Sequence, residues 1–492
     1  MDYDFAPYLK VIDEADWFRG DQPLLRALRA RLGDRFAAAE RDLAAEGTAA
    51  KGLGPLVEEA SLPENAPRLV SFDGHGRRVD DVVLPPATRR LHAETLGRGL
   101  GTVHGDPLVH YARVYLYAQN GEGGFHCAAA CTDGMERVLR GAAEATRLHA
   151  VWREIVEATP EHPTSGAQFV TEAQGGSDVA SNRVVARKDL DAWRLRGQKW
   201  FCSNIVADWF LVTARPEGAP DGPKGVGLFA VPARRSDGAR NGYRIERLKD
   251  KLGTRELPTA EVDFDDALGW PVCPTDRGLA TVVGTVLTTS RIHCILAASA
   301  ALARARREAA AYARFRTAFG SPIAAFPLVA DTLSGIAAAH DRAVAMFYAL
   351  LDLWQRTDEV SKTDFRVLLS LAKPVITRSA TAGVRDAMGI LAGNGIEERF
   401  SALPRLFRDC VITETWEGAH FTLLAQAHDD MRRFSVGAPF VERWAGAGPL
   451  ASEVASHVAA SHPTPAFAAW GERFVVAASS RLAALASASP RG

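Results

Sequence analysis

Glu417 stands between Trp416 and Gly418 in an apolar stretch. A carboxylate buried beside an indole holds its proton more tightly than one in water, and can serve as a base near neutral pH. A lone Glu is otherwise an ordinary surface residue, so its neighbouring strings decide the reading. Phe169-Val-Thr-Glu-Ala-Gln-Gly-Gly-Ser-Asp178 runs from a strand into a Gly-rich turn. Gly175 and Gly176 let backbone approach a flat or anionic ligand, because no Cβ intervenes. Thr171 and Ser177 offer hydroxyls to the same ligand. Gly197-Gln-Lys-Trp-Phe-Cys-Ser-Asn204 puts successive aromatic rings on opposite faces of a strand, one for the core and one to cover a planar ligand. In Arg316-Thr-Ala-Phe-Gly-Ser-Pro-Ile323, Arg316 can clamp a phosphate through a bidentate pair. Ala392-Gly-Asn-Gly395 suits close backbone contact with phosphate. Taken singly, these strings also read as a hairpin loop, a core pair and a solvated arginine.

Three textures must position these residues. Residues 1–165 read as mostly helical: RALRARLGDRFAAAERDLAAEG and ATRRLHAETLG space apolar positions by three and four. From 166 to 275 come short alternating runs such as RVVARK, WFLVTAR and AEVDF, separated by Gly, Pro, Asp and Asn. That pattern predicts a small antiparallel β-domain, with Val262 and Phe264 on one face and Glu261 and Asp263 on the other. From 276 to 430 long helical stretches return, including one of roughly seven turns between Pro327 and Arg356. Residues 431–492 form an Ala- and Ser-rich helical tail. Helices, then strands, then a helical bundle argue an α+β fold over a doubly wound one.

The chain has 492 residues with 58 basic and 59 acidic side chains, so no global field favours nucleic acid or an anionic membrane. Six sparse cysteines suit free thiols in a reducing, cytoplasmic setting. No apolar run of ~20 residues suggests a membrane span, and the acidic start lacks a secretory h-region. There is no GxxxxGK[ST], HExxH, GxSxG or paired CxxC. The GAGPLA string at Gly446 lacks a preceding strand, and His126, Cys127 and Cys131 lack a usual zinc spacing, so a packed helix and no metal are expected there.

In their joint order, TEAQGGSD, GQKWFCS, KLGTRELPTAEVDF, RTAFGSPI, AGNG and WEG resemble the acyl-CoA dehydrogenase flavoproteins over roughly residues 90–425. QGGSDVASN, DGARNGYRIERLKDKLG and FDGHGRRVDDV look like the AidB-like branch, linked to the adaptive response to DNA alkylation. The resemblance implies an N-terminal helical domain, a central β-domain and a C-terminal bundle, with FAD held where the β-domain meets the bundle in a homotetramer or dimer. It implies that Thr171 and Ser177 hydrogen-bond the flavin ring and pyrophosphate, with Val170 and Gly176 beside them. Phe201 would lie against the isoalloxazine and Ser203 near its edge, flanking Cys202. Arg316, Phe319 and the turn of Gly393, Asn394 and Gly395 would serve the pyrophosphate side.

Glu417, next to Trp416, falls on the family's base, with Arg291 as the second catalytic candidate. Some members carry the base just before that Arg; here the position is Ser290, which cannot serve. The chemistry implied is α-proton abstraction from an acyl thioester with β-hydride transfer to flavin, the acceptor being an electron-transfer flavoprotein or O2. The chain departs from the family pattern at Gly389, Phe326-Pro327, Ala419 and Phe421, and His420 adds bulk beside the base. Two other outcomes are compatible with the same fold. One is an AidB-like protective flavoprotein that binds DNA; the other is a flavin oxidase or N-hydroxylase. The modest basic excess of the tail (Arg432, Arg433, Arg443, Arg473, Arg481 and Arg491 against Glu442, Glu453 and Glu472) gives DNA little support.

Overall fold

A computed structural model describes residues 3–488, so Arg491 lies outside the described residues. The chain divides into two units, each discontinuous in sequence. One comprises Leu53–His104 and Glu122–Ser290; the other comprises Met1–Gly52, Gly105–Gly121 and Arg291–Gly492.

The first unit is built on a hairpin and a seven-stranded sheet. The hairpin, β1 (Arg68–Phe72) and β2 (Arg78–Val83), interrupts a stretch whose sequence reads as helical. Its cause is local: the Asp73 carboxylate accepts the backbone N–H of His75 and of Arg77, closing the turn that Gly76 completes at φ +76°. The sheet comprises β3 (Gly166–Phe169), β4 (Val185–Asp189), β5 (Ala192–Ser203), β6 (Trp209–Pro216), β7 (Gly227–Pro232), β8 (Tyr243–Leu248) and β9 (Thr259–Pro271). Its order is β3-β6-β4-β5-β9-β7, with β8 on β9 and β6 also paired to β7, so the strands from β6 to β7 close on themselves. The expected antiparallel domain is therefore mixed, because β3 and β4 both run parallel to β6. Phe169, Leu195, Phe210, Phe229, Val262 and Phe264 fill its core. Glu261 is buried too, paired with Lys249 and Arg247 at 2.6 Å. The helix His126–Leu139 packs in this unit with Cys127 and Cys131 buried; no cluster of metal-ligating side chains occurs among the described residues.

The second unit is a helical bundle. Its long members are Leu287–Phe315, which begins in the last residues of the first unit, Pro327–Trp354 and Glu359–Leu391. In Pro327–Trp354 the buried side chains Ile336, Ala343, Phe347 and Leu351 recur at helical spacing. Leu403–Thr415 and His420–Arg433 follow, then the tail helices Ala438–Ala445, Pro449–Ala459 and Pro465–Ala488. Trp470 and Phe474, both wholly buried, dock the last helix. One stretch, Thr275–Phe315, is long and apolar enough to cross a membrane by length and composition, contrary to the sequence expectation. Its most apolar window is 61% buried, as in the core helix of a bundle.

Candidate active site

In the β unit the TEAQGGSD turn is fixed from behind by a buried polar network. The Lys199 ammonium donates to Glu172 Oε1 at 2.8 Å, to Thr213 Oγ1 at 2.9 Å and to the Val170 carbonyl at 3.1 Å. The Glu172 carboxylate also accepts the backbone N–H of Arg183 and of Val184. Asn182 donates to the Val170 carbonyl and to Thr213 Oγ1, both at 2.8 Å. Burial pulls the Lys199 ammonium down to about 8 against the pull of Glu172. Burial alone would raise the Glu172 carboxyl, but Lys199 and the Arg183 N–H outweigh it and hold it below its usual range. At neutral pH this is an ionised, hydrogen-bonded pair, the condition under which buried charges are tolerated.

This network leaves Thr171 at the surface edge. Its carbonyl accepts the Trp200 N–H at 2.9 Å, which ties the turn to β5. A Cβ at Gly176 would come within 2.5 Å of Thr171 Oγ1, so glycine is needed there. Ser177 is exposed on the same turn. On β5, the expected split of one buried and one open ring does not occur. The register against β9 shifts between Lys199 and Cys202, so those two side chains point into the core while Trp200 is half-buried and Phe201 half-exposed. The Lys249 ammonium lies 3.9 Å from the Trp200 ring centre and 4.5 Å from that of Phe201. The Cys202 thiol is wholly buried, leaving its backbone as the part a ligand could reach. Ser203 Oγ sits 3.1 Å from Thr259 Oγ1.

In the bundle unit, Arg316 opens a two-residue hairpin, Thr317–Ala318 against Ser321–Pro322, whose tip is Phe319-Gly320. Both tip residues have positive φ, +50° and +81°, and Phe319 is 99% exposed. The Arg316 guanidinium lies over the Tyr3 ring at 5.2 Å. Asn394 Nδ2 donates to Tyr312 Oη at 3.0 Å. A Cβ on Gly395 would collide with the Met388 carbonyl, whereas Gly389 and Gly393 face open space.

Glu417 lies in the short connection between Leu403–Thr415 and His420–Arg433. It adopts φ +57° and Gly418 follows at +111°. Arg291 Nε donates to the Glu417 carbonyl at 2.9 Å. Lys373, from Glu359–Leu391, donates to the carbonyls of Glu414 at 2.8 Å and Gly418 at 3.2 Å. Burial lowers the Arg291 guanidinium to about 10, opposed by the Glu417 charge, and lowers the Lys373 ammonium. The sequence reading missed Lys373, Lys199 and Glu172; only a charged residue inside an otherwise apolar periodic run hints at them. The hydrogen bond of Arg291, one of the two catalytic candidates, reaches the Glu417 backbone carbonyl.

The scaffold is a helical N-terminal region, a central β-domain and a helical bundle carrying Glu417 in a loop at positive φ. Family models match three successive stretches of the chain: "Adaptive response protein AidB N-terminal domain" at 9–159, "Acyl-CoA dehydrogenase, middle domain" at 167–267 and "Acyl-CoA dehydrogenase, C-terminal domain" at 276–429. The chain is 33% identical to the putative acyl-CoA dehydrogenase AidB of Escherichia coli, over 72% of this chain and 67% of that protein. It is 29% identical to acyl-CoA dehydrogenase family member 11 of Caenorhabditis elegans, over 74% of this chain and 62% of that one. Among solved structures, the Bd2924 apo-form superposes with a TM-score of 0.88 at 26% identity, covering 96% of this chain and 98% of that one. The Caenorhabditis elegans ACDH-11 complex with C11-CoA gives 0.78 at 26% identity, covering 85% and 73%. The chain belongs to the acyl-CoA dehydrogenase family, and within it to the AidB-like branch.

Proposed function

We propose that this chain is an FAD-dependent oxidoreductase that removes the α-proton of an acyl thioester with Glu417. Homologues in this family bind FAD, and a glutaryl-CoA dehydrogenase of the same fold was solved with FADH2. The residues of this chain fit that cofactor. Phe201 presents a half-exposed ring next to the wholly buried Cys202, which core packing does not explain. Beside it lie the Ser203 hydroxyl and a Gly-rich turn in which Gly176 makes room for the Thr171 hydroxyl. Within the β unit, Thr171, Ser177, Phe201 and Ser203 would hold the flavin. When bound, FAD supplies the hydride acceptor. The remaining work belongs to the protein: Glu417 accepts the α-proton at its carboxylate, and Arg291 holds the peptide that carries it.

The observation that carries this reading is Glu417 held at φ +57° by a buried guanidinium. A non-glycine residue in that region costs about 1–3 kcal/mol and persists where the surroundings over-determine it, often at a reacting centre. The test is anaerobic bleaching of the bound flavin by acyl-CoAs, starting with C11-CoA, the ligand of the Caenorhabditis elegans homologue. A panel that leaves the flavin oxidised sinks the reading. A second reading, a protective flavoprotein with little dehydrogenase activity, is favoured by the AidB N-terminal match. Salt-sensitive binding to duplex DNA without bleaching would select it.

A further inference from the structure

We infer that Lys373 is a positioning residue for Glu417: with Arg291 it ties three carbonyls of the Glu414–Gly418 segment and sets a buried positive charge on the connection that carries the carboxylate. The inference rests on Glu417 being the base. Lys373 is wholly buried, yet among the described residues it forms no ion pair with a side chain; it donates to the Glu414 and Gly418 carbonyls. Removing an ammonium from water to hold two peptide oxygens is costly. A Lys at this place is therefore more than filling. The Glu414 carbonyl ends the helix Leu403–Thr415, and the Gly418 carbonyl lies just past Glu417. Lys373 thus grips both ends of the connection, while Arg291 grips the middle through the Glu417 carbonyl.

The charge has an electrostatic consequence. Glu417 acts on both cations, opposing the downward pull of burial on Arg291 and on Lys373. By reciprocity, both cations stabilise the Glu417 carboxylate. The other charges around this cluster come from several elements. Cys294 lies on the Arg291 helix, and Arg366 and Asp430 also act on Arg291. Glu414 acts on Lys373, and its carboxylate accepts the Thr381 hydroxyl. His420 faces Arg378 and Glu472; burial first and then Arg378 keep it below its usual range, so it stays neutral near pH 7. Lys373 and Arg291 both donate to carbonyls of the Glu417 segment itself.

The experiment reads Glu417 without any substrate. Protein labelled with carboxyl-13C glutamate is titrated by NMR, and the Glu417 resonance is assigned by its loss in Glu417→Gln. Lys373→Met is expected to raise the Glu417 midpoint by about one pH unit, because a carboxylate that loses a nearby cation holds its proton more tightly. Lys373→Arg keeps the charge and is expected to restore the midpoint. Amide exchange in residues 415–419 should quicken in Lys373→Met. If that variant does not accumulate, Lys373→Gln keeps one donor without the charge and gives the same reading. A Glu417 midpoint unmoved in the neutral variants overturns the inference. Bleaching by C11-CoA separates the two ideas. A midpoint that rises in a protein no thioester bleaches supports the clamp and sinks the proposed dehydrogenase. A Glu417→Gln protein that bleaches at the wild-type rate removes Glu417 as the base. With both readings intact, Lys373→Met lowers the bleaching rate by about 100-fold, the scale set by small misplacements of a reacting group.

Discussion

Glu417→Gln keeps the shape of the side chain and deletes the base. With the proposed chemistry, bleaching by an acyl-CoA falls by about 1,000-fold, within the range that a positioned general base contributes. FAD content, read from the flavin absorbance, should not change. Arg291 acts differently. Arg291→Met removes the donor to the Glu417 carbonyl without touching the carboxylate, and it leaves that part-buried carbonyl with one partner fewer. We expect a fall of about 100-fold in bleaching and a loss of stability of about 1–3 kcal/mol, measured by urea unfolding. A variant with wild-type bleaching would show that the left-handed conformation at Glu417 needs no clamp. The candidate side chains themselves were legible in the sequence, because TEAQGGSD, KWFCS, AGNG and WEG name them directly. Lys373 was not, since its partners lie 41 and 45 positions away and no local pattern marks a lysine that binds carbonyls.

At the scale of elements, the turn that presents Thr171 depends on the Lys199–Glu172 pair. Lys199→Met strands the Glu172 carboxylate in the core, and losing one partner of a buried pair costs about 3–5 kcal/mol. The sign of the pH effect follows from Glu172. Its folded carboxyl lies below the ordinary value of 4.5, so the folded state binds fewer protons than the unfolded chain as pH falls through that value. Its contribution is present above about pH 4.5 and is lost as the pH drops through the lowered folded value. Chemical unfolding of wild type and of Glu172→Gln between pH 3 and 7 checks this: the wild type should lose its advantage on the acid side, and a constant gap would refute it. Much of this unit was readable. The alternation in AEVDF correctly assigned Val262 and Phe264 to the core. The parallel pairings of β6 and the β5 bulge were not readable, because register between distant strands is set by packing on both faces and not by local propensity. The Arg68–Val83 hairpin was missed for a different reason: its turn chemistry, Asp73 to Gly76, was present but lay inside a helical neighbourhood.

For the molecule as a whole, the question left by the bundle unit is why an aromatic ring stands in solvent on a strained turn. Phe319 is 99% exposed at φ +50°, and Leu328 and Ile396 on the same unit are 83% and 71% exposed. In an isolated chain none of these is rewarded: the turn conformation costs about 1 kcal/mol or more at a non-glycine residue, and the apolar surface remains wet. The homo-oligomer that the sequence resemblance implies would account for this exposure if a second copy covers the hairpin. Phe319→Asn separates the two cases, because Asn tolerates the left-handed conformation and carries no apolar ring. If the chain works alone, the substitution relieves strain of about 1 kcal/mol and raises the melting temperature by about 1 °C, the shift that size of change gives in a chain this long. If the ring is buried between copies, the same change removes about 1.5–3 kcal/mol of apolar burial per contact. Light scattering coupled to size exclusion would then show a smaller species than wild type at low protein concentration. A wild-type protein that runs as a monomer, made more stable by Phe319→Asn, rules the assembly out.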